Sequence, residues 1–306
     1  MTITSLSSYS LRERLGPIAA TFRGDDGTER VFRQEFPRSM SMGEFPLQVA
    51  ERCGATAVEA VAFQFDGIAD PAIDLFAVHA RSVGLDLVNA AVDDGDLLDA
   101  DPGRRATDVD VMKRWIGRFA GVGFRHVRVN AGSPFSERRT ARPPGYLVDA
   151  LGDLGAYAAS HGVRLLVENH GGSSSDPAWV AELLSTVGAD NLGLLLDTGN
   201  FDAILTPMLA ASLHPDENHG LSLDALDLSS VYDGIAALAP HAELVHMKAH
   251  WATDSGASGP IDMDFVVAIL SSHGYSGPLT LEYEGVGGDP WAKVSAIIDR
   301  LGVGAR

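Results

Sequence analysis

One unit recurs along the chain: an amphipathic helix, a turn that contains glycine, and a short apolar strand. Clear copies are YLVDALGDLGAYAASHGVRLLVENH at residues 146–170 and DPAWVAELLSTVGADNLGLLLDTGN at residues 176–200. A repeated helix and buried strand is typical of a parallel sheet whose strands are connected by helices. The pattern therefore predicts an α/β fold.

Counting these units gives about eight strands. We expect them near residues 3–9, 56–63, 85–91, 124–130, 163–168, 192–197, 243–248 and 278–283. Eight strands, each followed by a helix, are the number that closes a (β/α)8 TIM barrel. The alternative is an open doubly wound sheet, which should carry a glycine-rich phosphate loop after its first strand, and SLSSYSLRERL has no glycine. We predict a single barrel domain over residues 1–306 and no nucleotide cofactor.

Two stretches are longer than an ordinary connection between a strand and a helix: residues 11–42 and residues 201–222. Each follows the carboxyl end of a predicted strand. Both are therefore expected to be insertions at the rim where barrel enzymes bind substrate. A lid over the site and an oligomer contact or ordered decoration are equally compatible with the sequence.

Composition excludes several classes of protein. The chain has 41 acidic and 23 basic residues and a formal charge of −18, which opposes binding to nucleic acid. The single cysteine, Cys53, cannot form a disulfide framework within one chain, and its helical setting favours a buried core thiol. No apolar run approaches the length of a membrane span, and the first residues lack the features of a signal peptide. We expect a cytoplasmic protein that binds no membrane, and a homo-oligomer is compatible with the sequence.

Polar residues end the last four predicted strands, in VENHGG, LDTGN, VHMKAH and LEYEG. The carboxyl ends of barrel strands converge on one mouth, so their side chains should meet there. Each motif supplies an acid or an imidazole: Glu168, Asp197, His246 and Glu282. Such groups would repel one another and be costly to bury, and a divalent cation removes both problems. The oxygen-rich set favours Mn²⁺, with Mg²⁺, Co²⁺ and Zn²⁺ as alternatives.

These motifs resemble those of the xylose isomerase-like barrel superfamily, and in particular its D-tagatose 3-epimerase-like branch. The resemblance follows the strand order of nearly the whole chain, and its specific part is residues 168–172, 197–200 and 282–285. It implies that one metal ion is held by four ligands at the ends of strands five to eight, namely Glu168, Asp197, His246 and Glu282. His250 has the same strand parity as His246 and is the reserve ligand.

The resemblance also implies a reaction on a small sugar or polyol derivative. In the epimerases, the metal chelates a carbonyl and a neighbouring hydroxyl and stabilises the enediolate that forms when a carboxylate removes the adjacent proton. The glutamates that match Glu168 and Glu282 work on opposite faces of the substrate. Lys248 could stabilise an oxyanion or form a structural ion pair with Glu284 or Asp197.

Further residues are expected to assist at the mouth. His170 shares the parity of Glu168 and could act as an acid or base. Carboxamides suit recognition of hydroxyl groups, and Trp251, directly after strand seven, could stack on a sugar. The expected substrate-binding residues are Asn130, Asn200, Trp251 and His250.

Two departures from the epimerase pattern keep other reactions open. Asn200 stands where the epimerases usually have a histidine, and AHWATDSG lacks the arginine that they place after strand seven. A metal-dependent lyase, either a sugar dehydratase or an enzyme that cleaves 3-keto-glycosides or C-glycosides, is therefore the main alternative. An endonuclease IV-like nuclease would need histidines in FQFDG and NAAVDD, which have none. The non-enzyme alternative is a sugar-binding barrel without turnover.

Overall fold

The chain forms a closed barrel of eight parallel strands, seen in a computed structural model that describes residues 3–23, 28–133, 138–213 and 222–304. Each strand pairs with the next one along the chain, and the last pairs with the first. The strands are β1 (Thr4–Ser7), β2 (Ala57–Val61), β3 (Asp86–Val92), β4 (His126–Asn130), β5 (Arg164–Glu168), β6 (Gly193–Asp197), β7 (Ala242–Ala249) and β8 (Leu279–Tyr283). The predicted (β/α)8 barrel is confirmed, and every strand overlaps its predicted range. The alternative prediction of an open doubly wound sheet is wrong.

Helices connect the strands and cover the outside of the barrel. They are α1 (Phe45–Arg52), α2 (Ala72–Ser82), α3 (Pro102–Val122), α4 (Gly145–Ser160), α5 (Pro177–Val187), α6 (Ser229–Leu238), α7 (Met263–Ser272) and α8 (Pro290–Gly304). Asp101, Asp176 and Asp262 cap α3, α5 and α7 by accepting hydrogen bonds from backbone N–H groups of the first turn. Among the described residues, no helix has both the length and the apolar composition that a membrane span requires.

The two predicted insertions contain secondary structure of their own. After β1 the chain forms a short helix, Arg12–Leu15, and two antiparallel strands, Ile18–Arg23 and Glu29–Gln34. After β6 it forms a helix, Asp202–Leu213. Residues 214–221 of the second insertion lie outside the described residues. A role of either segment at the rim stays a prediction.

The barrel interior is divided into an apolar layer and a polar layer. The apolar layer is a buried cluster of Ala57, Val88, Leu166, Leu195 and Leu244. Side chains two positions apart on a strand point to the same face. Four buried polar residues lie two positions after members of this cluster, namely Glu59, Glu168, Asp197 and His246. The strand period therefore places these groups together, above the apolar layer and toward the mouth.

Two glycines of α4 differ in the space around them. A Cβ atom at Gly155 would overlap the backbone carbonyl of Asn191, whereas a Cβ at Gly152 would meet nothing within 4 Å. We expect Gly155→Ala to lower the free energy of unfolding by about 1–3 kcal/mol, because the helix must move away from the loop. Gly152→Ala should raise it by about 0.5–1 kcal/mol. Urea unfolding followed by circular dichroism checks both values, and equal effects would contradict this account of the helix packing.

Candidate active site

The structure brings the four predicted ligands together at the ends of β5 to β8. Glu168, Asp197, His246 and Glu282 are all buried. His246 Nδ1 lies 3.5 Å from Asp197 Oδ2, 3.6 Å from Glu282 Oε2 and 3.7 Å from Glu168 Oε1. Within the described part of the chain, His246 Nδ1 has no hydrogen-bond partner. One imidazole nitrogen therefore faces three carboxylates across a small space.

This donor set fits a divalent cation. The potential ligand atoms of Glu168, Asp197 and His246 all lie within 4.8 Å of one another, and so do those of Glu59, His246 and Glu282. Buried polar atoms without partners are costly, and a cation would satisfy them. Carboxylate oxygens with one imidazole suit Mn²⁺ or Mg²⁺ and also admit Co²⁺ or Zn²⁺. The residues could thus hold the metal that the sequence predicts.

Glu59 of β2 lies behind His246. Its two carboxylate oxygens are 2.9 and 3.0 Å from His246 Nε2, and Asn89 Nδ2 donates to Oε2 at 2.8 Å. A carboxylate in this position fixes the orientation of a ligating imidazole. Here it leaves Nδ1 facing the three acids. Glu59 is not among the site residues predicted from the sequence, although a carboxylate inside the apolar strand AVEAV was a signal.

Lys248 of β7 lies among the acids. Its Nζ is 3.0 Å from Asp197 Oδ2 and 2.9 Å from Glu284 Oε1, and it also contacts Glu282 Oε2. Burial alone would lower the pKa of Lys248, but these three carboxylates outweigh burial and raise it well above its ordinary value. The ammonium group is therefore charged, and both ion pairs expected from the sequence are present.

Arg128 of β4 is another buried cation beside the site. Its Nε is 2.7 Å from Glu168 Oε2, and its Nη1 contacts Asp93 Oδ1 and donates to Asn130 Oδ1 at 3.1 Å. Asn130 Nδ2 donates to Asp93 Oδ1 at 2.9 Å, so both polar groups of Asn130 are engaged in this network. The sequence reasoning missed Arg128. Its signal was a charge inside the apolar strand HVRVN.

The carboxylates differ in their affinity for protons. Burial raises the pKa of Glu168 to about 8, although Arg128 and His246 act against it. Burial also acts to raise the pKa of Glu282, but Lys248 and His246 outweigh it and hold that pKa well below its ordinary value. The pKa of Asp197 is lowered in the same way, chiefly by Lys248. In this arrangement Glu168 retains a proton more readily than the other two acids.

Asn200 and His250 also lie in this network. Asn200 Nδ2 donates to Glu168 Oε1 at 3.0 Å. His250 Nδ1 is 3.4 Å from Glu284 Oε2. Among the described residues, His246 has a ring nitrogen within 4.8 Å of the carboxylate oxygens that could share a metal ion with it. His250 forms no such cluster with the described carboxylates.

His170 and Trp251 have different settings. His170 Nδ1 is buried and has no hydrogen-bond partner among the described residues. Burial, with Arg128 acting in the same direction, lowers the pKa of His170. The indole of Trp251 donates to Asp224 Oδ1 at 2.8 Å, and Trp251 is 37% exposed. A partly exposed indole can contact a ligand without losing this hydrogen bond.

Comparison with known proteins identifies related barrels. A family model described as xylose isomerase-like TIM barrel matches residues 47–301. An L-ribulose 3-epimerase has a TM-score of 0.67 and 18% identity, over 100% of this chain and 95% of that chain. A D-psicose 3-epimerase crystallised in the presence of D-fructose has a TM-score of 0.61 and 14% identity, over 97% and 90%. A xylose isomerase-like TIM barrel protein from Mycobacterium smegmatis in complex with magnesium has a TM-score of 0.59 and 16% identity, over 99% and 96%. No curated protein matches the chain. At 14–18% identity, the similarity to the solved structures establishes the fold alone.

The contact between Glu59 and His246 predicts a loss of metal affinity in Glu59→Gln. We expect Mn²⁺ to bind about 10–100-fold more weakly, because the amide holds the imidazole less firmly. Titration of Mn²⁺ against a fluorescent chelator measures the affinity. Asp93→Asn is the matched control, since it removes the same charge from the buried network but contacts Arg128 and Asn130. Equal losses in the two variants would contradict a specific effect of the contact between Glu59 and His246.

Proposed function

This chain belongs to the xylose isomerase-like TIM barrel family, and we propose that it is a divalent-metal-dependent isomerase or epimerase of a small sugar or polyol derivative. The observation that carries the proposal is the buried His246 Nδ1, which faces three carboxylate oxygens at 3.5 to 3.7 Å. The proposed reaction begins with removal of a proton next to a carbonyl. Its substrate class agrees with the D-fructose that was present with the D-psicose 3-epimerase.

Glu168, Asp197, His246 and Glu282 would hold the cation. When bound, the cation would polarise the substrate carbonyl and offset the negative charge that develops as the neighbouring proton leaves. Mn²⁺ is the ion that we propose first, because carboxylate oxygens dominate the donor set. Glu59 would keep His246 in position throughout.

Glu168 and Glu282 are the proposed proton-transfer groups. They extend from β5 and β8, and the two strands between them carry Asp197 and His246. The two glutamates therefore approach the site from opposite sides, as exchange of a proton between the two faces of a substrate requires. One carboxylate removes the proton from one face, and the other acid supplies a proton to the opposite face.

Other residues would position the substrate. We propose that Lys248 stabilises the developing oxyanion and that His170, whose buried Nδ1 has no partner among the described residues, is a further acid or base. Asn200, His250 and Trp251 are the proposed contacts for hydroxyl groups and the sugar face. Asn130 is also proposed, and it would have to exchange its contact with Asp93 or Arg128 for one with substrate.

A lyase is the second candidate, and Asn200 is the observation that favours it. The amide donates to Glu168 Oε1, but it cannot pass a proton onward at neutral pH. If proton removal is followed by departure of a β-substituent, no second proton transfer to carbon is needed. The carboxylic acid that holds the removed proton would pass it to the departing group, and the same site would then release water or an aglycone.

The metal proposal predicts the composition of the purified protein. After dialysis against Mn²⁺ and removal of unbound ion, mass spectrometry of the metals should find about one divalent ion per chain. Asp197→Ala should lose this ion, because Asp197 supplies a ligand oxygen beside His246. Asp224→Ala, which alters an acid that contacts Trp251, should retain it. A folded wild-type protein that binds no divalent ion would contradict the proposed function.

The two-face mechanism predicts that proton exchange and epimerisation can be separated. The wild-type protein, tested in D₂O on a panel of ketoses and 3-keto-glycosides, should incorporate deuterium at carbon and form an epimer or isomer. Glu168→Gln and Glu282→Gln should each reduce epimerisation by about 10²–10⁴-fold. Each variant should still exchange deuterium into one epimer, a different one in each case, since the remaining glutamate serves one face.

Glu182→Gln is the control, because it changes a surface carboxylate that pairs with Arg142. Metal analysis of each glutamate variant separates loss of a proton-transfer group from loss of a ligand. Release of water or an aglycone without formation of an epimer would favour the lyase. Absence of both exchange and release across the panel, in metal-loaded protein, would contradict the proposed enzyme classes for these substrates.

A further inference from the structure

Lys248 and His246 approach the same two carboxylate oxygens. Asp197 Oδ2 is 3.0 Å from Lys248 Nζ and 3.5 Å from His246 Nδ1. Glu282 Oε2 contacts Lys248 Nζ and lies 3.6 Å from His246 Nδ1. A divalent cation that used these oxygens would lie close to the ammonium group, and the two positive charges would repel each other. These two oxygens therefore cannot bind the divalent ion and the ammonium group of Lys248 equally well at the same time.

The site has more carboxylates than positively charged groups, so it can accept a further cation. Among the described residues, the carboxylates that surround it are those of Glu59, Asp93, Glu168, Asp197, Glu282 and Glu284. They outnumber Arg128, Lys248 and His246 even when all three of these carry a positive charge. The excess of negative charge attracts a divalent ion, and Lys248 opposes it at two of the four proposed ligands.

Glu284 offers Lys248 another position. Its Oε1 is 2.9 Å from Lys248 Nζ. It follows Glu282 by two residues, so it lies on the same side of the chain but farther toward the mouth. The four-carbon stem of a lysine is flexible, so the ammonium group can keep its contact with Glu284 and give up the others.

We propose that Lys248 is an internal cation that competes with the divalent ion for Asp197 and Glu282, and that Glu284 holds its ammonium group when the ion binds. This inference rests on the proposed metal site. It assigns Lys248 and Glu284 a role in setting metal affinity that is separate from the reaction. It also means that the ammonium group lies nearer the mouth, where substrate enters, only in the metal-loaded protein.

The first test measures metal affinity in Lys248→Met. Each protein is stripped with a chelator and titrated with Mn²⁺ in competition with a fluorescent indicator. We expect Lys248→Met to bind Mn²⁺ at least about tenfold more tightly than wild type, because a positive charge next to two ligands is removed. Lys248→Arg is the matched control and should show no such gain, since it keeps the charge. Circular dichroism establishes that each variant is folded.

The second test uses Glu284→Gln, a variant that still contains Lys248 but lacks the carboxylate proposed to hold its ammonium group. This variant should bind Mn²⁺ more weakly than wild type by about threefold or more, because the ammonium group loses its position away from the ligands. In the Lys248→Met background the same change should have little effect. An equal effect in both backgrounds would show that Glu284 acts only through its charge, and this would overturn its role as the anchor of Lys248.

The outcomes separate this inference from the proposed function. If wild type binds Mn²⁺ and Lys248→Met binds it no more tightly, competition is overturned and the metal site stands. If Lys248→Met binds Mn²⁺ and wild type does not, competition is supported and the metal dependence of the natural chain is overturned. If both proteins are folded and neither binds an ion, both proposals fail.

Discussion

The acids inside the barrel can be buried together only because cations lie between them. A buried carboxylate without a partner is costly, and its removal from water is offset here by direct ion pairs. Arg128 pairs with Glu168, and Lys248 pairs with Asp197 and Glu282. These pairs also fix where each carboxylate oxygen points. The geometry of the site therefore depends on residues that are not themselves proposed ligands.

The division of the barrel into two interior layers separates stability from chemistry. Leu166 and Leu195 belong to the apolar layer, and Glu168 and Asp197 follow them two residues later. A shift of register by one residue would turn both the acids and the leucines away from the barrel interior. The apolar packing that stabilises the barrel thus also holds the acids in the interior. The same strands could not carry the site without the hydrophobic layer beneath it.

Periodicity was enough to predict the barrel, its strands and the meeting of four polar residues at the mouth. It could not rank His246 against His250, because the two positions have the same parity: His246 lies within β7, and His250 directly follows its last residue. It also missed Glu59, which reaches His246 from β2, a strand that is not a neighbour of β7. Such a contact exists only after the barrel closes, so no local pattern contains it. A charged residue inside an apolar strand was the available signal, and it marks Arg128 as well.

The surroundings of Glu168 limit how this residue can exchange a proton. Oε1 accepts a hydrogen bond from the amide of Asn200, and Oε2 lies beside the guanidinium group of Arg128. Neither group can take up a proton at neutral pH, because an amide is not basic and a guanidinium is already protonated. A histidine at position 200 could relay a proton, whereas Asn200 can only orient the carboxylate. Under the proposed function, Glu168 therefore exchanges its proton directly with substrate or with water at the mouth, and not through these two neighbours.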